Sequence, residues 1–284
     1  MAEIFNSKKR GKNKMKKLIL LTSMLFFLFA FAGTDAFGFG VDNYTMLMLH
    51  CDGEDGSTNF IDDSFSNHTV APIGDAQIDA AQQKFGTGSA LFDTGANDAL
   101  SIPDSDDWNF GSGDLTIDLW LRLNAISGTS KVLVSQEAIS DKRWLLFWDP
   151  GIGATFYSTD HGLFTEGSSA GWSVDTWHHM ALVRSGSAWN IYRDGTSVAS
   201  ATSSIDMPDI AGSLSVAREE LNGFYFDGWM DELRVSKGIA RWTSDFTPPS
   251  EPYDNTAVVP EPASLLLLSL GLLGAGAFRR KFLK

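Results

Sequence analysis

Short apolar runs recur through the middle of the chain, and several alternate with polar residues. In residues 116–123 leucine or isoleucine occupies every second position, which is typical of a strand with one face in a core. Residues 177–184 are apolar on both faces, which predicts a central strand. Residues 189–193 follow and end at Asp194-Gly195, a pair that favours a hairpin turn because both residues tolerate positive φ.

Further short strands are predicted at 46–50, 214–217 and 228–235, and only 238–242 has the spacing of a helical turn. The chain has no repeat with a period of 20–50 residues, which excludes a solenoid or a propeller. A strand-rich span of this length fits one domain better than two. We therefore predict a single all-β domain over 41–250, an antiparallel two-sheet jelly-roll sandwich.

The first 36 residues have the pattern of a signal peptide. Seven lysines and arginines precede an apolar run at 18–32, which is shorter than the roughly 20 residues of a spanning helix. Small residues place cleavage after Ala32 or Ala36, and Met15 is a more ordinary start than Met1. The alternative is an N-terminal anchor that is not cleaved.

The other end also has the pattern of a membrane segment. After a linker at 251–258, Pro260, Glu261 and Pro262 precede an apolar run at 263–278 and a basic cluster that begins at Arg279. Residues 259–284 resemble the PEP-CTERM sorting signal of Gram-negative bacteria. The resemblance implies a short transmembrane helix, export to the cell envelope, a transient inner-membrane anchor and an exosortase as partner. The alternative is a plain C-terminal anchor.

Charge and cysteine content narrow the classes of partner. The net charge of −13 combines basic ends with a middle, 41–250, that has 11 basic and 30 acidic residues and so a charge of −19. This balance disfavours nucleic acid as a partner. A single cysteine, Cys51, excludes a disulfide scaffold and a zinc site made of cysteines. We expect Cys51 to be a small buried apolar residue.

Several runs resemble the concanavalin A-like, laminin-G-like jelly roll. They are Leu49-His50-Cys51-Asp52-Gly53, Lys84-Phe85-Gly86-Thr87-Gly88-Ser89-Ala90-Leu91-Phe92, Gly113-Asp114-Leu115-Thr116-Ile117-Asp118-Leu119-Trp120, Trp177-His178-His179-Met180-Ala181-Leu182-Val183-Arg184, Tyr192-Arg193-Asp194-Gly195 and Asp231-Glu232-Leu233-Arg234-Val235-Ser236. They cover nearly the whole middle of the chain in the family's order. One departure is Cys51, where the family usually has an aromatic residue.

Calcium is the cofactor that the sequence favours. The chain has 26 Asp against 9 Glu, and short carboxylates beside glycine suit oxygen cages for Ca²⁺. The resemblance implies a structural Ca²⁺ between the first and last strands, with Asp52 and Asp231 as ligands and Asp63 as a weaker one. The alternative is that these aspartates form solvated turns.

Aromatic residues in loop-rich segments are the candidates for ligand binding. Sugars stack their apolar faces on such rings, and we predict this role for Trp148, Tyr157, Trp172 and Tyr225. Trp144, Phe224 and Phe226 lie in the same segments. The alternative for each ring is a place in the core.

Catalytic patterns are weak. The paired carboxylates of glycosidases on alternate strand positions are absent, and Asp231 and Glu232 are adjacent, so they face opposite sides of a strand. The adjacent His178 and His179 cannot chelate one metal together. We therefore expect no enzyme, but an exported binding or adhesion module for a glycan or extracellular matrix component. The alternatives are a polysaccharide hydrolase or lyase on this fold, and a structural surface or biofilm protein without a specific ligand.

Overall fold

A computed structural model describes residues 40–138 and 142–255. The predicted signal peptide and the sorting segment lie outside these residues. The strands are β1 (Thr45–Leu49), β2 (Ala71–Ile73), β3 (Gln77–Asp79), β4 (Ser89–Phe92), β5 (Ala99–Ile102), β6 (Leu115–Leu123), β7 (Lys131–Glu137), β8 (Arg143–Asp149), β9 (Gly153–Ser158), β10 (Gly162–Thr165), β11 (Trp177–Ser185), β12 (Ala188–Arg193), β13 (Thr196–Thr202), β14 (Leu214–Val216), β15 (Arg218–Glu219), β16 (Phe224–Tyr225) and β17 (Gly228–Lys237).

The strands form two large antiparallel sheets and one small hairpin. The eight-stranded sheet has the order β13-β12-β11-β6-β17-β4-β3, with β1 also paired to β17. The seven-stranded sheet has the order β10-β9-β8-β7-β14-β5-β2, and β15 pairs with β16. The all-β, two-sheet prediction is therefore confirmed. Strand β11 lies between β12 and β6, as its apolar residues on both faces predict, and Asp194 and Gly195 both have positive φ in the predicted turn.

One apolar core joins the two sheets. Leu119 and Leu121 of β6 share it with Trp144 and Leu146 of β8, and all four are fully buried. Side chains that meet from the inner faces of two sheets are the packing of a β-sandwich. Cys51 belongs to the same core, as predicted. Burial, with the nearby charge of Asp231, raises the pKa of its thiol well above the ordinary value, so the thiol stays protonated and inert.

The outer face of β6 is buried as well. Arg234 Nε of β17 lies 3.1 Å from Asp118 Oδ1 of β6, and neither side chain has exposed surface. Trp242 and Phe246 stack with their ring centroids 4.0 Å apart and contact His179 on the neighbouring strand β11. The segment after β17 therefore covers this part of the eight-stranded sheet.

The predicted helical turn at 238–242 is wrong. Gly238 has a φ of 83°, outside the helical region, and the residues after it are irregular. Their backbone groups bond to the neighbourhood of β6 instead. Gly238 N donates to Asp114 O at 2.7 Å, Arg241 N donates to Thr116 Oγ1 at 3.0 Å, and Thr116 Oγ1 donates to Ile239 O at 3.1 Å. Contact with the sheet therefore replaces bonds within a helix.

Strand β17 contains a β-bulge at its centre. Its register with β6 shifts between Asp231 and Arg234, and Glu232 has a φ of 51°. A bulge inserts an extra residue and re-aims the side chains around it. Asp231 and Glu232 are consequently both buried, and their carboxylates bond to different parts of the chain.

Residues 253–255 form a segment that we call the carboxy-terminal strap. Tyr253 N donates to Glu232 Oε2 at 2.8 Å, and the Tyr253 hydroxyl donates to Asp118. Asn255 Oδ1 lies 2.7 Å from His50 Nε2. The folded chain therefore continues past residue 250, where the sequence pattern places the start of the linker. Residues 256–258 lie outside the described part of the chain.

Candidate functional site

A groove of about 280 Å³ lies on the outer face of the seven-stranded sheet. Its floor consists of alternate residues of β8 and β9, namely Leu145, Phe147 and Tyr157. Tyr157 is opposite Leu145 in the ladder, and Leu163 on the edge strand β10 is opposite Tyr157. The intervening residues of β8, such as Leu146, point into the core. The pleat therefore gives this sheet an apolar row on its outer face.

The hairpin of β15 and β16 forms one wall of the groove. Ser135 Oγ on β7 donates to Arg218 O at 2.7 Å, which attaches the hairpin to the outer face of the sheet. Glu137 Oε1 accepts from Glu220 N at 2.8 Å at the hairpin turn. Burial raises the pKa of Glu137, and the nearby charge of Glu219 also raises it. The hydrogen bond from Glu220 N lowers this pKa but does not cancel the rise. Phe224 presents its ring from this wall.

The polar part of the groove is a bonded set of three side chains. Arg143 Nη1 lies 2.6 Å from Glu219 Oε1, and Asn222 Nδ2 donates to the same oxygen at 2.5 Å. The Arg143 guanidinium also lies 5.4 Å from the centroid of the Tyr157 ring. Because Glu219 is almost fully buried, it fixes the positions of Arg143 and Asn222 beside the apolar floor. Arg143 and Asn222 also line the groove, which places hydrogen-bond donors beside the apolar floor.

The four aromatic residues predicted to bind a ligand lie in three different places: in the groove, beside it and in the core. Tyr157 lines the groove. Tyr225 lies on β16 in the hairpin beside it, half-buried, but does not line the cavity. Trp148 and Trp172 are buried and pack edge to face at a centroid distance of 6.3 Å. Neither indole has an exposed face for a sugar, which corrects the prediction for these two residues.

The sequence patterns did not single out Arg143, Phe147, Glu219 or Asn222. Strand β8 has the sequence RWLLFWD, with large apolar residues on both faces, so alternation does not mark its outward residues. The hairpin strands are only two residues long. The one usable signal was the run from Asn222 to Phe226, where a turn pair is followed by aromatic residues.

The predicted metal ligands Asp52 and Asp231 hold opposite ends of one loop. Asp231 Oδ2 accepts from Lys84 N at 2.8 Å and from Phe85 N at 3.1 Å. Asp52 Oδ1 accepts the backbone N–H of Thr87 and, at 3.0 Å, its hydroxyl. Asp231 Oδ1 is buried and has no hydrogen-bond partner among the described residues. Burial raises the pKa of Asp231 to about 7, despite the Phe85 N–H.

Asp63 lies at the same end of β1, where the charges of Asp62 and Asp52 act on it. Burial and these two carboxylates raise its pKa, while His50 opposes them. Ca²⁺ takes six to eight oxygens, and in residues 40–138 and 142–255 no three acidic, histidine or cysteine side chains come close enough to hold one ion. Of the three predicted ligands, Asp231 is the one with a buried side-chain oxygen that has no hydrogen-bond partner among the described residues.

Two family models match the chain. The Laminin_G_3 model, described as the concanavalin A-like lectin/glucanases superfamily, matches residues 93–241, just over half of the chain. This range contains the floor and the hairpin wall of the groove. The model of the PEP-CTERM protein-sorting motif matches residues 258–281, which include Pro260, Glu261 and Pro262. A search of curated proteins finds no match.

Several solved structures share the fold at low identity. Domain 4 of AbnA, an extracellular GH43 arabinanase from Geobacillus stearothermophilus solved with arabinotriose, has a TM-score of 0.54 at 16% identity over 69% of this chain and 93% of that domain. The binding domain of Paraclostridial Mosquitocidal Protein 1 has a TM-score of 0.53 at 14% identity over 70% of this chain. The receptor binding domain of botulinum neurotoxin mosaic serotype C/D has 0.54 at 12% identity over 71%.

The chain spans about half the length of the two toxin domains, so the likeness to them concerns one part of each. At these identities the likeness establishes the fold. The PEP-CTERM motif marks the chain for export and for sorting through the membrane, and within residues 40–138 and 142–255 no helix is long and apolar enough to cross a bilayer. With its two stacked antiparallel sheets and the family match, the chain belongs to the concanavalin A-like lectin/glucanases superfamily, in its laminin-G-like branch.

Proposed function

We propose that the groove binds a glycan and that the protein is an exported binding or adhesion module of the cell envelope. The observation that carries the proposal is the apolar floor, with Tyr157 at its centre, beside the bonded Arg143, Glu219 and Asn222. A sugar presents an apolar face that packs on such a floor. It also presents hydroxyls that exchange hydrogen bonds with charged and amide groups held in place.

The size and setting of the groove support a short stretch of oligosaccharide. Ligand pockets have volumes of roughly 300–1,000 Å³, and this groove, at about 280 Å³, is slightly smaller than that range. Leu163 of the edge strand β10 lines the groove and is 54% exposed, so the groove reaches the edge of the sheet. The arabinanase domain that shares the fold was solved with arabinotriose, a ligand of this class. We expect a longer oligosaccharide to extend beyond this edge of the sheet.

The test is a glycan array probed with the full chain, with arabino-oligosaccharides and bacterial exopolysaccharide fragments among the probes. For the best probe, calorimetry compares wild type with Tyr157→Ala and with Tyr44→Ala, a matched tyrosine 43% exposed outside the groove. We expect Tyr157→Ala to weaken binding by about tenfold or more, as for loss of one stacking ring, and Tyr44→Ala to leave it unchanged. Equal effects of both variants, or no binding by wild type, would contradict the proposal.

We propose binding without hydrolysis. Glu219 is the carboxylate that lines the groove, and it is already engaged by Arg143 and Asn222. A glycosidase needs two carboxylates facing one another across the sugar, one as acid and one as base or nucleophile. We expect no new reducing ends when the bound glycan is incubated with the protein. Their release, abolished in Glu219→Gln, would establish the hydrolase instead.

We also propose a structural Ca²⁺ at Asp231 Oδ1, the unpartnered buried oxygen in the described part of the chain. A cation there would satisfy a carboxylate whose burial is otherwise costly. The melting temperature of wild type is expected to rise with CaCl₂ and to fall with a chelator, and that of Asp231→Asn to respond to neither. If neither CaCl₂ nor a chelator changes the melting temperature of wild type, the proposal is wrong.

For the carboxyl-terminal end, we propose that an exosortase processes the chain near Pro260, Glu261 and Pro262, after export directed by the first 36 residues. The family match to 258–281 supports this. Replacement of the three residues by alanine in a host that has an exosortase is expected to leave a longer, membrane-bound product. A product of normal size would contradict the proposal.

A further inference from the structure

Two large apolar side chains on one loop beside β1 are exposed to solvent. Ile61 is 55% exposed and Phe65 is 58% exposed, more than any other large apolar side chain in the described residues. They lie four residues apart on the loop that runs along the edge of β1. Two such side chains on one short loop are unlike the single exposed apolar residues that any surface has.

Hydrogen bonds hold the backbone of this loop in place, so the exposure of Ile61 and Phe65 is a property of the folded loop. Asp62, between the two apolar residues, is buried and accepts three backbone N–H bonds. They come from Met48 at 2.9 Å, Ser64 at 2.9 Å and His68 at 2.7 Å. Ser64 Oγ also donates to Met46 O of β1 at 3.0 Å. Because the loop backbone is bonded at several points, Ile61 and Phe65 cannot turn inward without breaking these bonds.

The end of the described chain is bonded close to the end of β1. Asp63 N donates to Met48 O at 2.9 Å, which places the loop beside β1, and His50, one residue beyond this strand, bonds to Asn255 at 2.7 Å. Four residues separate Asn255 from Pro260, and seven separate it from the apolar run that begins at Ala263. At roughly 3.5 Å per residue, Asn255 lies within about 28 Å of that run.

We propose that the edge formed by Ile61 and Phe65 rests on the bilayer while the chain is anchored through its PEP-CTERM segment. The tether keeps this edge at the membrane, so even weak insertion of two side chains is favoured by the high effective concentration. The occupant is the lipid interface, because the patch is apolar and the chain that leaves Asn255 reaches the apolar run of the sorting segment within eight residues. The proposal concerns orientation and is independent of what the groove binds.

The experiment uses the full chain reconstituted in phosphatidylcholine vesicles, with insertion checked by flotation. Because the native Cys51 is buried, an environment-sensitive fluorophore can be attached to one new cysteine. Ser66→Cys places it beside Phe65. Ser127→Cys is the matched control, an exposed serine beside the 44% exposed Ile126. Residue 127 follows the end of β6 that pairs with the start of β17. Strand β1 pairs with the other half of β17, so the control lies away from β1.

We expect the fluorophore at residue 66 to be protected from aqueous iodide at least about threefold more than the one at 127, with emission shifted to the blue. The added substitutions Phe65→Ser and Ile61→Ser are expected to remove this difference while the melting temperature stays unchanged. Equal quenching at both positions would overturn the proposal, as would a chain that does not float. Protection that appears only in native membranes and not in pure lipid would also overturn it, in favour of a protein partner.

Discussion

His50 Nδ1 lies 2.7 Å from Glu232 Oε1, and this buried pair joins the first strand of the domain to the bulge in its last strand. Burial alone would lower the pKa of His50, but the hydrogen bond and the charge of Glu232 raise it to about 9. His50 is therefore charged at neutral pH. Its other ring nitrogen bonds to Asn255 in the strap.

The first prediction concerns alkaline pH. Because the folded pKa of His50, about 9, exceeds its unfolded value of 6.5, its contribution to stability is complete below pH 6.5 and is lost as pH rises through 9. The loss is at most about 3 kcal/mol. Urea unfolding across this range should show a decline that is absent in His50→Gln. The same slope in the variant would assign the decline to another group.

The second prediction concerns Asp231 in the absence of calcium. Its folded pKa of about 7 exceeds the unfolded 3.8, so the protonated carboxyl favours the folded state. This contribution is complete below pH 3.8 and is lost as pH rises through 7, by at most about 4 kcal/mol. Asp231→Asn mimics the neutral carboxyl and is expected to flatten the free energy of unfolding between pH 4 and 7. A variant that is less stable than wild type at pH 7, with no calcium present, would contradict this.

The third prediction concerns the strap. Tyr253→Phe removes the hydroxyl that donates to the buried Asp118 and keeps the ring that lies 3.9 Å from the Arg234 guanidinium. We expect a loss of roughly 1–3 kcal/mol in the free energy of unfolding, the cost of leaving a buried polar group without its partner. Tyr44→Phe is the control and is expected to change nothing, because the Tyr44 side chain is exposed.

The fourth prediction separates core from groove. Trp148→Ala leaves a large cavity between the sheets and is expected to cost about 3–5 kcal/mol of stability. Tyr157→Ala, at a half-buried position, is expected to cost less than half as much while it weakens glycan binding. Chemical unfolding and calorimetry on both variants make the comparison. A Trp148→Ala protein that is as stable as wild type would contradict the core assignment.

Sequence patterns predicted much of the eight-stranded sheet, because its strands carry clear signals. Alternation marks β6, apolar residues on both faces mark β11, and Asp194-Gly195 marks the hairpin after β12. The polar positions of β6 suggested one covered face, yet Asp118 is buried beneath the strap. A charge paired through tertiary structure leaves no trace in local periodicity.

The groove was harder to predict for two physical reasons. In β8 the outward Phe147 and the inward Trp148 are both large and apolar, so composition cannot distinguish ligand-facing rings from core rings. Of the four predicted rings, only Tyr157 lines the cavity. The polar partners of Arg143 come from a hairpin more than 70 residues further along the chain, and one sequence alone cannot show that pairing.

The bridge between Gly40 and Asp254 has a mechanical consequence. A pull on the chain beyond Asn255 is transmitted first to the His50 contact, to the Val41–Asp254 backbone bond of 3.0 Å and to the Tyr253 contacts. These are the bonds nearest the end of the described chain, so we expect such a pull to strain them before the bonds of the two large sheets. We therefore expect the contacts of the strap to break first when the chain is pulled from this end. The strap can peel away and extend the tether by several residues while the sandwich and its groove stay folded.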